Sequence, residues 1–252
     1  MADVSLKGRV AVITGGSRGI GRAIALALGA AGARLAMVGR DQAKLAESEA
    51  LAREAGAEAR TFVCDVREEV EVRKLADDVM SGFGAVHILV NSAGTAIRKN
   101  VIDFSLDEWR AVIDTNITGV FLACKYFVPH MKGRGYGRII NLASIMAHVS
   151  SEGRGVYSAT KHAVAGLTKA LALELVGDAI TCVAISPGFV ATDLTAPLRA
   201  DPAKNAALMA QTPMRRWGDP KEIAALALYI CSDAAAFMTG NDVLIDGGWC
   251  AQ

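Results

Sequence analysis

Seven short runs of β-branched and apolar residues alternate along this chain with Ala-, Leu-, Glu- and Lys-rich stretches of helical period. That alternation leaves few folds open. The runs span residues 9–14, 34–39, 59–64, 86–91, 137–143, 180–186 and 242–246, and the helical stretches 19–31, 41–55, 68–82, 105–131, 156–175 and 220–231. Several runs lack in/out alternation, as strands do when both faces of a parallel sheet are covered. Strand and helix in regular succession imply right-handed crossovers and a doubly wound α/β sheet of seven strands with helices on both faces. No linker or low-complexity tract divides the 252 residues, so residues 1–252 read as one domain. One segment breaks the rhythm: residues 192–218 hold three of the six prolines and follow the sixth strand. A long irregular insertion at the C-terminal end of a strand is expected to be a substrate lid.

Composition narrows the function classes. With 27 Lys+Arg against 26 Asp+Glu the net charge is +1, which lacks the basic excess of a nucleic-acid binder. The longest stretch without a formal charge, residues 79–97, is interrupted by polar and glycine residues and is not read as a membrane span. The N-terminal residues lack a basic flank and a small-residue cleavage site before the first apolar run, so a folded start and a cytoplasmic home are expected. Cys64, Cys124, Cys182, Cys231 and Cys250 are odd in number and widely spaced, as buried reduced thiols are. His87, His130, His148 and His162 have no metal-ligand spacing, and no metal is expected.

The first run enters GGSRGIG and then a helix. Gly15, Gly19 and Gly21 permit a tight turn and a close approach of backbone to a pyrophosphate at a helix N-terminus. The spacing is T-G-x-x-x-G-x-G rather than G-x-G-x-x-G. Tyr157 and Lys161 stand four apart in YSATK, on one face of a helix, and Ser144 lies thirteen residues before the tyrosine.

Together with NSAG at 91–94, Asn116 in DTNITG, and Pro187-Gly188, these motifs resemble the short-chain dehydrogenase/reductase superfamily over nearly the whole chain. The resemblance implies a Rossmann-type fold, a nicotinamide cofactor, and Asn116, Ser144, Tyr157 and Lys161 as the catalytic set. It further implies that Gly15, Ser17, Arg18, Gly19, Ile20 and Gly21 cradle the cofactor's phosphates. Asp65 and Val66 would flank the adenine, while Asn91, Ala93 and Gly94 line the cofactor and support the sheet. Pro187, Gly188, Val190 and Thr192 would complete the cofactor wall, with Ser144, Met146, His148 and Tyr157 facing substrate.

The residue types support that chemistry. A phenol of pKa ~10 is a poor acid or base at neutral pH, and an adjacent ammonium favours its phenolate, so Lys161 is expected to tune Tyr157. Ser144 can stabilise the negative charge that develops on a substrate oxygen. The resemblance adds that Lys161 holds the nicotinamide ribose and that Asn116 holds a relay water. Enzymes specific for NAD carry an acid at the end of the second strand, where this chain has Gly39 followed by Arg40. Arg18 and Arg40 could grip a 2′-phosphate, which favours NADP(H).

Within the superfamily the pattern is most similar to 3-oxoacyl-(acyl-carrier-protein) reductases and gluconate 5-dehydrogenase-like enzymes. Leu173 stands where the former often carry a cation, which weakens the case for an acidic carrier protein, although Lys132, Arg134 and Arg138 could partly replace it. The expected substrate is therefore a free small ketone or secondary alcohol, sugar acids included. A carrier-linked reductase is the alternative, and a non-catalytic NADP(H) sensor is a third reading from another class. The stretches 156–175 and 105–131 are apolar well beyond one stripe, with Leu171 assigned to the outward face. Cover from another subunit is expected, and the resemblance implies a homotetramer of 222 symmetry, with a dimer as the fallback.

Overall fold

The computed structural model describes residues 4–252, so the expected domain is traced from residue 4 onward. Its strands are β1 (Val10–Thr14), β2 (Arg34–Gly39), β3 (Ala59–Val63), β4 (Ile88–Asn91), β5 (Gly137–Leu142), β6 (Ile180–Pro187) and β7 (Asp242–Ile245). They form one parallel sheet in the order β3-β2-β1-β4-β5-β6-β7. The order reverses between β1 and β4, and the crevice at that switch point is where such sheets bind ligands.

Helices α1 (Gly19–Ala30), α2 (Gln42–Glu54) and α3 (Glu69–Phe83) follow the first three strands. Next come α4 (Leu106–Ile113), α5 (Gly119–Met131) and α6 (Gly155–Leu175), then α7 (Ala196–Ala200), α8 (Pro202–Gln211) and α9 (Pro220–Cys231). One face of the sheet is packed by α3, α5 and α6 around Phe127, Met131, Val79 and Val164. The other is packed by α1, α2 and α9 around Ile24, Leu28, Leu45 and Ile230. Strands between two such layers have no wet face, which is why their sequences do not alternate.

Two expected elements differ in detail. The stretch 105–131 is not one regular helix: Asp114–Thr118 form a wide π-helical turn between α4 and α5. Ser105 caps α4 through a reciprocal box with Glu108, so the expected start is right and the interior is where the reading fails. The whole rod, Leu106–Met131, has the length and composition of a membrane span, but Val112, Leu122, Phe127 and Met131 are buried in the core. The segment 192–218 is not irregular throughout, since it contains α7 and α8. The prolines read as breakers, Pro197 and Pro202, sit in the first turns of these helices, where a missing N–H costs nothing.

A buried polar chain ties the sheet to α6. Asn91 donates to Asn141 Oδ1 at 2.8 Å, and Asn141 donates to Thr168 Oγ1 at 2.9 Å. Asn141→Ala would leave Asn91 with only a weak 3.5 Å contact to Cys124 Sγ. We expect that variant to lose ~1–3 kcal/mol of stability in urea unfolding. A loss below ~0.5 kcal/mol would show that the chain of amides is not a stabilising element.

Candidate active site

The C-terminal ends of β1 to β6 open into a single cleft of about 840 Å³. Its first wall is the turn between β1 and α1. Gly15 has φ +69°, and a Cβ there would stand 2.8 Å from the Ala93 backbone nitrogen. A Cβ on Gly21 would run into the Gly15 carbonyl. These contacts leave room only for hydrogen. Ser48 Oγ and Arg22 Nε both donate to the Ser17 carbonyl, at 3.0 and 3.1 Å, which draws the turn's acceptor inward. At the N-terminus of α1 the Arg18 side chain forms no cap, so the first-turn N–H groups are available to an anion. Pro187, Gly188, Val190 and Thr192 line the opposite wall, and a Cβ on Gly188 would stand 2.7 Å from Asp246 Cα.

Beyond the turn the cleft presents three cationic side chains. Arg18, Arg40 and Lys44 all line it. Lys44 escaped the sequence reading, because it belongs to the exposed first turn of α2 and only the fold brings it beside Arg18. Asp193 lies 3.7 Å from Arg18 and 3.9 Å from Lys44. Asp65 is gripped by Arg67, with contacts of 2.6 to 3.1 Å, and stands 3.6 Å from Arg40. The Arg67 hydrogen bonds hold its carboxyl below the usual range. Position 39 is a glycine with no acid beside it. This donor set fits a dinucleotide bearing a 2′-phosphate. Ile20, Val66, Ala93 and Gly94 also line the cleft, and Ser17 does so while nearly buried. Asn91 does not line it, because its side chain is spent on Asn141 inside the sheet.

At the other end stand Ser144, Met146, Tyr157 and Lys161. Ser144 follows β5, and its Oγ accepts from the Met146 N–H at 3.2 Å. Burial pushes the Tyr157 phenol up, while the Ser144 hydroxyl and then the Arg154 guanidinium pull it back. Lys161 Nζ donates to the Leu142 carbonyl at 2.6 Å and lies 5.5 Å from the centre of the Tyr157 ring. Burial brings Lys161 down to about 8. Arg154 is thus a further cation bearing on the phenol, beside the Lys161 that was expected to tune it.

Asn116 sits on the π-helical turn. It accepts from the Thr95 N–H at 2.8 Å and donates to the Thr95 carbonyl and Thr160 Oγ1 at 2.9 and 3.1 Å. A methyl group on Gly94 would stand 3.5 Å from Asn116 Oδ1 and 3.9 Å from Lys161 Nζ, so these groups share one neighbourhood behind the cleft. Wide turns of this kind often re-aim a functional side chain.

His148 is a correction. Its Nε2 is 2.9 Å from the Asp242 carboxylate on β7, and the residue is not part of the cleft lining. The partner that turns it away is 94 positions along the chain, out of reach of local pattern. Arg98 and Arg154, both unmentioned by the sequence reading, do line the cleft beside Tyr157. Arg154, three residues before the tyrosine at the N-cap of α6, was within reach of a helical-spacing argument.

A family model described as enoyl-(acyl carrier protein) reductase matches residues 15–250. A 3-oxoacyl-[acyl-carrier-protein] reductase of Synechocystis is 38% identical over 97% of this chain and 98% of its own length. A 2-dehydro-3-deoxy-D-gluconate 5-dehydrogenase of Bacillus subtilis is 34% identical, covering 98% of this chain and 97% of its own. Among solved structures, a gluconate 5-dehydrogenase of Burkholderia cenocepacia in complex with NADP and tartrate superposes with a TM-score of 0.94 at 35% identity, covering 98% of this chain and 97% of that one.

Proposed function

This chain belongs to the short-chain dehydrogenase/reductase superfamily, and we propose that it moves a hydride between NADP(H) and a free small ketone or secondary alcohol. The observation that carries the reading is the meeting of Ser144, Tyr157 and Lys161 at one end of a cleft whose other end presents Arg18, Arg40 and Lys44. The nicotinamide, when bound, supplies or accepts the hydride. The remaining work falls to side chains. Ser144 holds the substrate oxygen, and Tyr157 gives it a proton as negative charge develops during reduction, or takes one during oxidation. Arg154 and Ser144 then stabilise the phenolate. Lys161, brought to about 8, can exchange a proton near neutral pH, with Asn116 as holder of the relay water beside it. Arg18, Arg40 and Lys44 hold the 2′-phosphate, a reading supported by the NADP in the Burkholderia enzyme. The segment 192–218 acts as the lid, for Thr192, Leu194, Thr195 and Pro197 line the cleft.

A free substrate such as a sugar acid is favoured over a carrier-linked one. Leu173 is 81% exposed, and of the three cations expected to replace a carrier-docking residue two are spent elsewhere, leaving Arg134 exposed. Arg138 is buried in β5, and Lys132 pairs with Asp178 at 3.0 Å. The 38% identity to a 3-oxoacyl-[acyl-carrier-protein] reductase keeps carrier-linked reduction as the second reading. NADPH oxidation against ketones, sugar acids and 3-oxoacyl thioesters, free and carrier-bound, separates the two. Turnover confined to the carrier-bound thioester selects the second, and no turnover with any carbonyl leaves a non-catalytic NADP(H) sensor. A cytoplasmic home remains part of the proposal, supported by five unpaired thiols, four of them buried.

The proposed assembly is a homotetramer. The outer face of α6 presents Ala159, Gly166, Ala170 and Leu173 to solvent, beside half-exposed Phe121 on α5. Small residues there would let a second helix approach closely. Leu171, first assigned to this face, instead packs against the core, because α6 turns its 164-168-172 stripe and that flank toward the sheet. Leu173→Glu should therefore reduce the mass measured by light scattering. A wild-type monomer at micromolar concentration would rule the assembly out.

A further inference from the structure

The end of the cleft that holds Tyr157 carries more positive charge than the hydride chemistry uses: Arg154 bears on the phenol, and Arg98 has no part in that chemistry. Arg98, on the segment after β4, and Arg154, at the N-cap of α6, both line the cleft there. The two segments are stitched together. The Lys99 N–H donates to the Gly153 carbonyl at 3.1 Å, and a Cβ on Gly155 would collide with the Val101 side chain. The residues next to these contacts are Arg98 and Arg154 themselves, so the two guanidinium groups rise from adjoining backbone.

Neither group has an ion pair or a side-chain hydrogen bond among the described residues. The acids that line the cleft are Asp41, Asp65 and Asp193, and each is engaged at the far end. Asp41 caps α2 through the Lys44 N–H, Asp65 is held by Arg67, and Asp193 faces Arg18 and Lys44. The nearby Glu108 is taken by Lys99 at 2.8 Å. Two cations therefore face a concave, partly apolar space containing Ile145, Met146 and Leu194, with no anion to balance them. Burial and the repulsion of Arg98 both push Arg154 below its ordinary value, a penalty that a bound anion would relieve.

We propose that Arg98 and Arg154 form a two-pronged clamp for a carboxylate, so that the substrate is a small organic acid whose reacting carbon lies a short chain away, at Ser144 and Tyr157. The proposal rests on the reading of Tyr157 as the acid–base group. A guanidinium fork matches the planar carboxylate in two parallel hydrogen bonds, which a neutral ketone cannot offer. The clamp also sets which end of the substrate enters first, because the carboxylate is drawn to the cations and the carbonyl carbon is left toward the nicotinamide side. Binding energy at this non-reacting end would position the reacting one.

The test uses keto acids of four to six carbons, each paired with its own primary amide, in an NADPH-oxidation assay. The wild type should prefer the acid over the amide by about tenfold or more in kcat/KM, and rising salt should shrink that ratio. In Arg98→Gln and Arg154→Gln, which leave a shorter neutral amide and remove both the charge and the guanidinium fork, the acid-over-amide ratio should fall by about tenfold. A binding arm needs no turnover: tartrate and its diamide are compared for their effect on the unfolding temperature of the NADP⁺-loaded protein. Tartrate should raise it more than the diamide in the wild type, and the difference should shrink in both variants. Turnover of amides and acids alike, with the ratio untouched by either substitution, overturns the clamp and leaves the hydride reading standing. Charge-dependent binding of tartrate with no carbonyl turned over supports the clamp and overturns the hydride reading.

Discussion

Replacing Tyr157 by phenylalanine should lower turnover by about 10²–10⁴-fold while NADPH still binds. The substitution removes one hydroxyl and keeps the ring, so the packing of α6 should survive. Only the proton donor to the substrate oxygen is lost, and Ser144 cannot replace it because its role is to hold that oxygen. The pH dependence follows from the same environment. Burial holds the phenol up, so Tyr157 is protonated at neutral pH and ready to donate. Reduction needs that protonated form and should decline as pH rises through the tyrosine's titration, whereas oxidation needs the phenolate and should climb over the same range. Arg154→Gln should move that inflection upward, since one of the two influences lowering the phenol is gone. Stopped-flow measurement of single-turnover rates isolates the chemical step. Near-normal turnover in Tyr157→Phe would mean that the acid lies elsewhere in the cleft.

Arg40→Ala should weaken NADPH binding by about tenfold to a hundredfold and leave NADH binding almost unchanged. The lower end is the expected value, because the Arg40 side chain is 62% exposed and solvent screens its charge. Loss of Arg40 does not orphan Asp65, which keeps Arg67 at 2.6 Å, so a general collapse of the adenine end is not expected. Lys44 and Arg18 remain as further partners for a 2′-phosphate, and Arg18→Ala added to Arg40→Ala should deepen the loss. Fluorescence titration with both cofactors gives the ratio directly. Equal losses for NADPH and NADH would remove the charge argument for the cofactor.

Much of the site was open to a reader of the sequence because its parts are local. The turn between β1 and α1 is legible from three glycines: the close approach of Ala93 and Gly15 excludes a side chain at Gly15 and Gly21, and Gly19 takes a φ of +56°. Tyr157 and Lys161 share a helix face by spacing alone, and Ser144 follows a strand whose apolar run is unmistakable. Where the reading failed, a distant partner decided the outcome. His148 looked like a substrate contact because it follows Ser144 by four residues, yet Asp242 takes its ring. Arg138 read as a surface cation, but it lies in β5 with Tyr136 against its guanidinium, which donates a hydrogen bond to the Gly137 carbonyl.

The parallel sheet, its two helical layers and the place of the phosphate turn are written locally in the chain. Those depend on hydrophobic period and glycine chemistry within a few residues, and the handedness of the crossovers then leaves little freedom in assembling them. What the loops at the strand ends do to one another is set by long-range packing. The wide turn at Asn116, the helices within 192–218, the approach of Lys44 to Arg18, and the meeting of Arg98 with Arg154 join segments far apart in sequence. No local period encodes such meetings. They arise because neighbouring strands of the sheet deliver their loops to one end, where unpaired charges from different segments face a common space.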